Sequence, residues 1–321
     1  IDRLRRAGVS IVYISHKMAE VQRIADRLTV MRDATRIATL RANEADADEL
    51  IRLMVGRPLE RTARVGSLHA GADVLLDVRS LSTDFLDGIS FQLRAGEVLG
   101  IAGLVGSGRS EIGAALFGLR DRKDIDASLC GARFAPARPA EAIDRGLCLV
   151  PEDRRNEALF PTLSPVENTT IATLPRLSSM GLLHPATELA AAAPFHHRLK
   201  LAHSAPNVGA AALSGGNQQK AVIARWLMAS ARVLFLDEPT RGIDVGSKEQ
   251  VYRIIAELAA QGRGIVFVSS ELPELFRCCD RILVLHEGRQ AGVVTTAAAT
   301  QERVLALATG AGRRNGYHCV K

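Results

Sequence analysis

No run of about 18 apolar residues occurs in this sequence, so it predicts no membrane-spanning helix. Its five cysteines, Cys130, Cys148, Cys278, Cys279 and Cys319, form no C-x-x-C pair, which argues for free thiols in a reducing compartment. Charge of one sign is not concentrated anywhere. Lys and Arg number 41 against 35 Asp and Glu, and the net +6 is spread among both signs. That reads as a solvated Arg-rich surface rather than a nucleic-acid or anionic-lipid face. The opening "IDRLRRAGVS" has neither an initiating Met nor a signal peptide and reads as a piece of a longer reading frame. What is present is ample core material: 47% hydrophobic residues in 321, enough for one large domain or two modest ones of cytosolic type.

The chain contains an internal repeat. A shift of 254 residues superimposes Gly8 on Gly262, Ile11 on Ile265, Ser15 on Ser269, Glu20 on Glu274, Asp26-Arg27 on Asp280-Arg281, Leu53 on Leu307 and Gly56 on Gly310. Both copies predict a strand (IVYI, IVFV), an amphipathic helix, a second strand (LTVM, ILVL), a tight turn and a final helix. Residues 1–58 thus read as the tail of one domain. A Gly-, Arg- and Ala-rich connector follows at 59–73, then a complete second copy at 74–310 and a tail at 311–321. The second copy opens on alternating runs suited to a small β-sheet and continues into a buried strand at 98–102 and a helix over 110–117. Its middle, about 155–220, is largely helical, "VLFLDEP" is a buried parallel strand, and a helix spans about 247–261. Alternating β and α elements predict a parallel sheet with helices on its faces.

Three motifs carry chemistry. "GLVGSGRS" (103–110) has phosphate-loop spacing: Gly103, Gly106 and Gly108, with Ser107 between, let backbone N–H groups turn onto phosphate oxygens, and the next helix points its positive end there. Ser110 is the Mg²⁺-binding hydroxyl of that pattern. Arg109 stands where the lysine belongs, and its planar fork is not a point charge. Alone, the string is also compatible with a tight structural turn. "VLFLDEP" delivers Asp237 from a buried strand toward the metal and Glu238 to polarise a water; two acids capping a strand is the plainer alternative. "LSGGNQQK" (213–220) puts Ser214, Gly215 and Gly216 at a helix N-terminus, either an ordinary N-cap or a second anion cradle for a nucleotide held by another domain.

Together with "GIDVG" (242–246), these motifs resemble the nucleotide-binding domain of ATP-binding cassette (ABC) proteins, and in particular the second cassette of the fused double-cassette ATPases of bacterial monosaccharide importers of the ribose, galactose and xylose type. That family's second half reads GLxGxGR[ST]E, PEDR, LSGGNQQK and SSE; here stand "GLVGSGRSE", "VPEDRR", "LSGGNQQK" and "VSSELPE". Its first half ends in ISHK and MVGR, as do 14–17 and 54–57 here. The resemblance covers about 1–310. It implies a P-loop NTPase fold of α/β class with an antiparallel β-subdomain and a helical subdomain, ATP and Mg²⁺ as ligands, and an ATPase subunit that energises sugar import. The implied location is peripheral, at the cytoplasmic face of the inner membrane. The implied partners are permease subunits, indirectly a periplasmic sugar-binding protein, and a first cassette, with no nucleic acid.

Because paired cassettes sandwich each ATP between one P-loop and the other's signature, the resemblance places Gly103, Gly106, Ser107, Gly108, Arg109, Ser110, Glu111, Asp237 and Glu238 in one composite site. Ser214, Gly215, Gly216 and Gln218 fall in the opposite one. Two further departures lie on the Arg109 side: Glu152 replaces the usual Gln, and Ser270 the switch histidine, which His16 keeps in the first copy. The expectation is an asymmetric pair, with the Arg109 site binding nucleotide but turning it over poorly, and the His16 site hydrolysing it. The alternatives are a non-transport ABC ATPase or an inactive piece of the transporter subunit. Phe85 is read as an adenine-stacking or core residue, and "LSPVENTTI" (163–171) as the start of the permease-docking subdomain. His184, His196, His197 and His203 are read as a solvated helical surface, and Cys278-Cys279 as small buried apolar residues.

Overall fold

The repeat is visible as geometry. The computed structural model describes residues 1–14, 21, 23–32, 35–42, 50, 53, 71–179, 181–201 and 208–311. It divides into two compact units, Ile1–Thr62 with Gly242–Gln250, and Ala63–Arg241 with Val251–Lys321. In the first, α1 (Asp2–Arg6) is followed by an antiparallel hairpin of β1 (Arg27–Arg32) and β2 (Thr35–Arg41). Leu28, Val30 and Leu50 are buried there against Val21, Ala25, Ile37, Leu40, Ala42 and Leu53. The predicted strand IVYI does not form: residues 11–14 have no regular structure, and Val12 and Ile14 are each 93% exposed. A two-faced parallel strand needs neighbours on both sides, and none pairs with residues 11–14 among the described residues.

In the second unit, β3 (Val74–Ser82), β4 (Phe91–Arg94), β5 (Val98–Gly103), α2 (Arg109–Leu116), β6 (Asp124–Leu129), β7 (Ala132–Arg133), α3 (Pro139–Arg145) and β8 (Leu147–Val150) come first. The helical stretch holds α4 (Pro165–Thr170), α5 (Leu174–Leu177), α6 (Pro185–Arg198) and α7 (Gly215–Met228). Along the chain then come β9 (Val233–Asp237), α8 (Val245–Ala260, of which 251–260 belong to this unit), β10 (Gly264–Val268), α9 (Leu272–Cys278), β11 (Arg281–His286), β12 (Arg289–Thr295) and α10 (Gln301–Ala308). A six-stranded sheet has the order β12-β11-β5-β10-β9-β8, parallel except for β12, and a four-stranded antiparallel sheet has the order β4-β3-β6-β7. The unbroken apolar runs of β8, β9 and β10 are buried at every residue, as strands covered on both faces must be. The hairpin β11–β12 shifts register between Val284 and Leu285, and β1–β2 does so between Val30 and Met31, its match at the repeat spacing (284 − 30 = 254).

The helical region is organised by one buried cation. Arg225 of α7 donates to the carbonyls of Asn168 (2.7 Å) and Ala158 (2.7 Å) and to Asn168 Oδ1 (3.1 Å). Burial pushes its guanidinium down to about 10. A Ser164–Glu167 capping box starts α4. His196 corrects the surface reading: it is buried, and its Nε2 lies 2.8 Å from Thr169 Oγ1. Thr169 already donates to the Pro165 carbonyl, so the imidazole N–H donates to it, an inward polar contact invisible to helical periodicity. His184 is exposed ahead of α6, and His203 lies outside the described residues. Cys278 and Cys279 are buried as expected.

Helix α2 lies close to β9 because Gly113 has no side chain. A Cβ there would come within 2.5 Å of the Phe235 ring, which is itself 1% exposed. Gly113→Ala gains about 1 kcal/mol of helix propensity, but overpacking costs about 1–3 kcal/mol. The clash is expected to win, lowering the midpoint of thermal unfolding, and Phe235→Leu in the same chain should restore part of the loss.

Candidate nucleotide site

The parallel register brings the C-terminal ends of β5, β10 and β9 to one edge of the sheet, where Val268 pairs with both Ile101 and Asp237. Open α/β sheets bind ligands at such an edge. Beyond β5 the chain turns through 103–108 into α2, which begins at Arg109, one residue earlier than the periodicity predicts. Gly108 caps that helix in the left-handed region (φ 99°), and a Cβ there would stand 2.7 Å from Leu86 and 3.0 Å from Phe85. Gly106 also has positive φ. Ser107 folds back over Gly103, where a Cβ would meet its hydroxyl; that buried hydroxyl has no hydrogen-bond partner. Phe85 is half exposed beside the loop.

Arg109, Ser110, Asp237, Glu238 and Ser270 converge. Arg109 Nη2 lies 3.5 Å from Glu238 Oε1, with the two side chains 12% and 8% exposed, and Arg109 Nη1 donates to the Ser269 carbonyl at 3.1 Å. Ser270 Oγ donates to Glu238 Oε2 at 3.2 Å. Burial raises the Glu238 carboxyl above the usual range, and the Arg109 charge and the Ser270 hydroxyl draw it back down. Glu238 itself sits at φ 45°, a strained backbone for a non-glycine residue, and its N–H donates to the Val268 carbonyl. Burial also raises Asp237; the neighbouring Ser110 hydroxyl and the Arg109 charge oppose that rise. Asp237 Oδ1 is buried without a hydrogen-bond partner. An orphaned carboxylate oxygen beside a serine hydroxyl is a donor set that fits Mg²⁺.

The remaining predicted residues lie elsewhere. Glu111 pairs with Arg120 (3.6 Å). Glu152 forms an ion pair with Arg241, whose carbonyl accepts from Arg154 Nη1 at 2.7 Å, so the PEDRR segment is strapped to the chain just past Glu238. Ser214 Oγ accepts from the Asn217 N–H and caps α7, the plainer of its two readings; Gly215 and Gly216 form the first positions of that helix. Gln218 is buried: its Nε2 donates to the Ala210 and Ala211 carbonyls and its Oε1 accepts from Arg155. His16 lies outside the described residues. Sequence reasoning assigned nothing to Arg241 or Glu157, whose charge lies close enough to Asp237 to raise it further. Neither belongs to a recurring motif, and only folding brings them there.

Comparison with known proteins agrees with this geometry. Residues 86–241 match the family model described as ABC transporter. The chain is 40% identical over 313 residues to the ribose import ATP-binding protein of Geobacillus kaustophilus, covering 98% of this chain and 63% of that protein. It is 44% identical over 311 residues to a putative ribose/galactose/methyl galactoside import ATP-binding protein of Pseudomonas fluorescens, covering 97% and 60%. It therefore spans about three fifths of the length of these curated relatives. Among solved structures, a nucleotide-free ATP-binding cassette from an ABC transporter superimposes with a TM-score of 0.61 at 21% identity, over 73% of this chain and 96% of that one. A dimeric cassette in a post-hydrolysis state bound to ADP and Pi does so at 0.60 and 19%, over 69% and 99%. With this loop and this sheet, the family match places an ATP-binding cassette of the ABC transporter type at residues 86–241, and the chain is similar along nearly its whole length to ribose and ribose/galactose/methyl galactoside import ATP-binding proteins.

Proposed function

We propose that the chain is the ATP-binding part of a sugar importer's motor, and that its own P-loop site binds ATP but hydrolyses it slowly. The observation that carries this reading is the Arg109–Glu238 pair: the residue standing in place of the phosphate-binding lysine is occupied with the carboxylate that would polarise the attacking water. Backbone N–H groups of 103–110 and the N-terminus of α2 receive the phosphates. Ser110 and Asp237 would hold Mg²⁺, which when bound neutralises phosphate charge. Glu238 must accept a proton from water, and a carboxylate neutralised by a guanidinium is a weaker base for that task. Ser270, in place of a histidine, offers a hydroxyl already donated to Glu238.

In this reading the chain is organised as 1–58, the end of a first cassette; 59–73, a linker; 74–310, the second cassette; and 311–321, a tail. His16 and the signature Ser214–Gly216, with a P-loop from the first cassette, form the hydrolysing site. Gln218 supports the signature from within α7. Glu152, tied to Arg241, follows the state of the Glu238 segment. The names of the relatives support ribose- or galactose-type sugars as cargo. The partners are then permease subunits and, through them, a periplasmic sugar-binding protein, with the motor peripheral at the cytoplasmic membrane face; no helix among the described residues is long and apolar enough to cross a membrane.

Turnover in the full-length double cassette with its permease tests the asymmetry. His16→Ala should lower transport-linked ATP hydrolysis about a hundredfold, the lower end of the range for a lost general acid–base group, while Arg109→Lys should change it little. A strong rise with Arg109→Lys and no loss with His16→Ala would contradict the assignment.

Asp237→Asn should abolish the Mg²⁺ dependence of ATP binding to this chain, measured by titration with and without EDTA. Because burial raises the Asp237 carboxyl, its proton competes with the metal at higher pH than for an ordinary carboxylate. The Mg²⁺-dependent part of the affinity should therefore be full well above that raised value and fall as pH is lowered through it.

A further inference from the structure

Behind the site lies a second carboxylate that the reading above does not use. Glu274 of α9 is 4% exposed, yet its two oxygens accept three hydroxyl hydrogens: Oε2 from Thr240 (2.7 Å) and Ser269 (2.8 Å), and Oε1 from Tyr252 (2.7 Å). The donors are buried too, at 1%, 1% and 7% exposure. They come from the turn after β9, the residue that follows β10, and α8, so one carboxylate ties three parts of the fold together.

Two of those donors flank the reacting groups. Thr240 follows Glu238 by two residues. Ser269 precedes Ser270, and its carbonyl holds Arg109. The Ser269 hydroxyl also accepts the Glu271 N–H at 3.0 Å, which fixes the direction in which it donates. Glu238 is held at φ 45°, a conformation costing on the order of 1–3 kcal/mol that persists only where the surroundings over-determine it. The Glu238 N–H to Val268 bond and the Thr240 hydroxyl on Glu274 are two restraints that keep that turn in place.

We propose that Glu274 is a positioning residue for the nucleotide site, fixing the Glu238 turn through Thr240 and the Ser270 segment through Ser269 so that the Glu238 carboxylate, Ser270 and Arg109 keep their mutual geometry. Hydrogen bonds to an ionised acceptor are roughly twice as strong as neutral ones, which suits a carboxylate here better than an amide. The Tyr252 phenol, pushed up by burial and by the adjacent Glu274, stays protonated and remains a donor. Glutamine at 274 would present an NH₂ group to hydroxyls whose hydrogens already point inward, breaking at least one of the three contacts. The role rests on Glu238 being the water-polarising carboxylate.

The test uses the whole chain in four forms: unchanged, Glu274→Gln, Thr240→Val and Glu238→Gln. Amide hydrogen exchange and single-turnover ATP hydrolysis with protein in excess are measured on each. Glu274→Gln should speed exchange about tenfold in 236–241 and 267–271 and leave 98–110 unchanged; it should slow hydrolysis of bound ATP about tenfold or more, with half-saturation within about twofold, as for groups misplaced rather than removed. Thr240→Val, which removes a single donor, should give the same pattern at smaller amplitude and supplies the result should Glu274→Gln not fold. No change in exchange, a uniform rise across the domain, or loosened segments with undiminished hydrolysis would each overturn the proposal. Hydrolysis by Glu238→Gln at the unchanged rate would instead sink the role given to Glu238, while the exchange pattern would still decide what Glu274 holds in place.

Discussion

A guanidinium held between a buried carboxylate and a main-chain carbonyl is the constraint on which this site turns. Arg109 begins α2, Glu238 follows β9, and Ser269 follows β10, so the contacts of one side chain link the ends of three elements. A buried ion pair gives little net stability against its desolvation, but breaking it leaves an uncompensated charge that costs several kcal/mol. The pair is therefore a lock rather than a source of stability. A lysine in the same place would bring a compact, mobile charge. The arginine brings a planar fork that satisfies two acceptors at once.

Everything needed to bring those three elements together is ordinary sheet physics. Apolar runs buried on both faces align β5, β10 and β9 in parallel, and their C-terminal ends reach one edge together. Gly113 lets α2 lie against Phe235, which sets the height of Arg109 above the sheet. Around this core, Arg225 gathers the helical stretch onto α7, and Glu274 gathers the switch segments beneath the nucleotide edge.

Much of this was legible in the sequence because its signals are local. Glycine spacing announces the phosphate loop, and the unbroken run VLFLD announces a doubly covered strand. The repeat spacing even carries over to the bulge shared by the two hairpins. What the sequence hid depends on contacts between distant segments. His196 carries no mark distinguishing it from the exposed His184, since only the position of Thr169 turns it inward. The IVYI segment has the pattern of a core strand, but pattern does not supply the neighbours such a strand requires. Gln218, read as a ligand contact, is buried instead, its amide held by the Ala210 and Ala211 carbonyls ahead of α7 and by Arg155 from a distant segment. Glu20 and Glu274 matched across the repeat without disclosing a role, for a carboxylate's partners are not written beside it.

The central claim is that Arg109 serves Glu238 rather than the phosphates. A crystal structure of this chain with Mg²⁺ and a non-hydrolysable ATP analogue tests it through one distance, from the Arg109 guanidinium to the Glu238 carboxylate. The account predicts that the pair remains in contact with the nucleotide in place. A guanidinium seated on the β- and γ-phosphates, with Glu238 released to face the terminal phosphate, would contradict it.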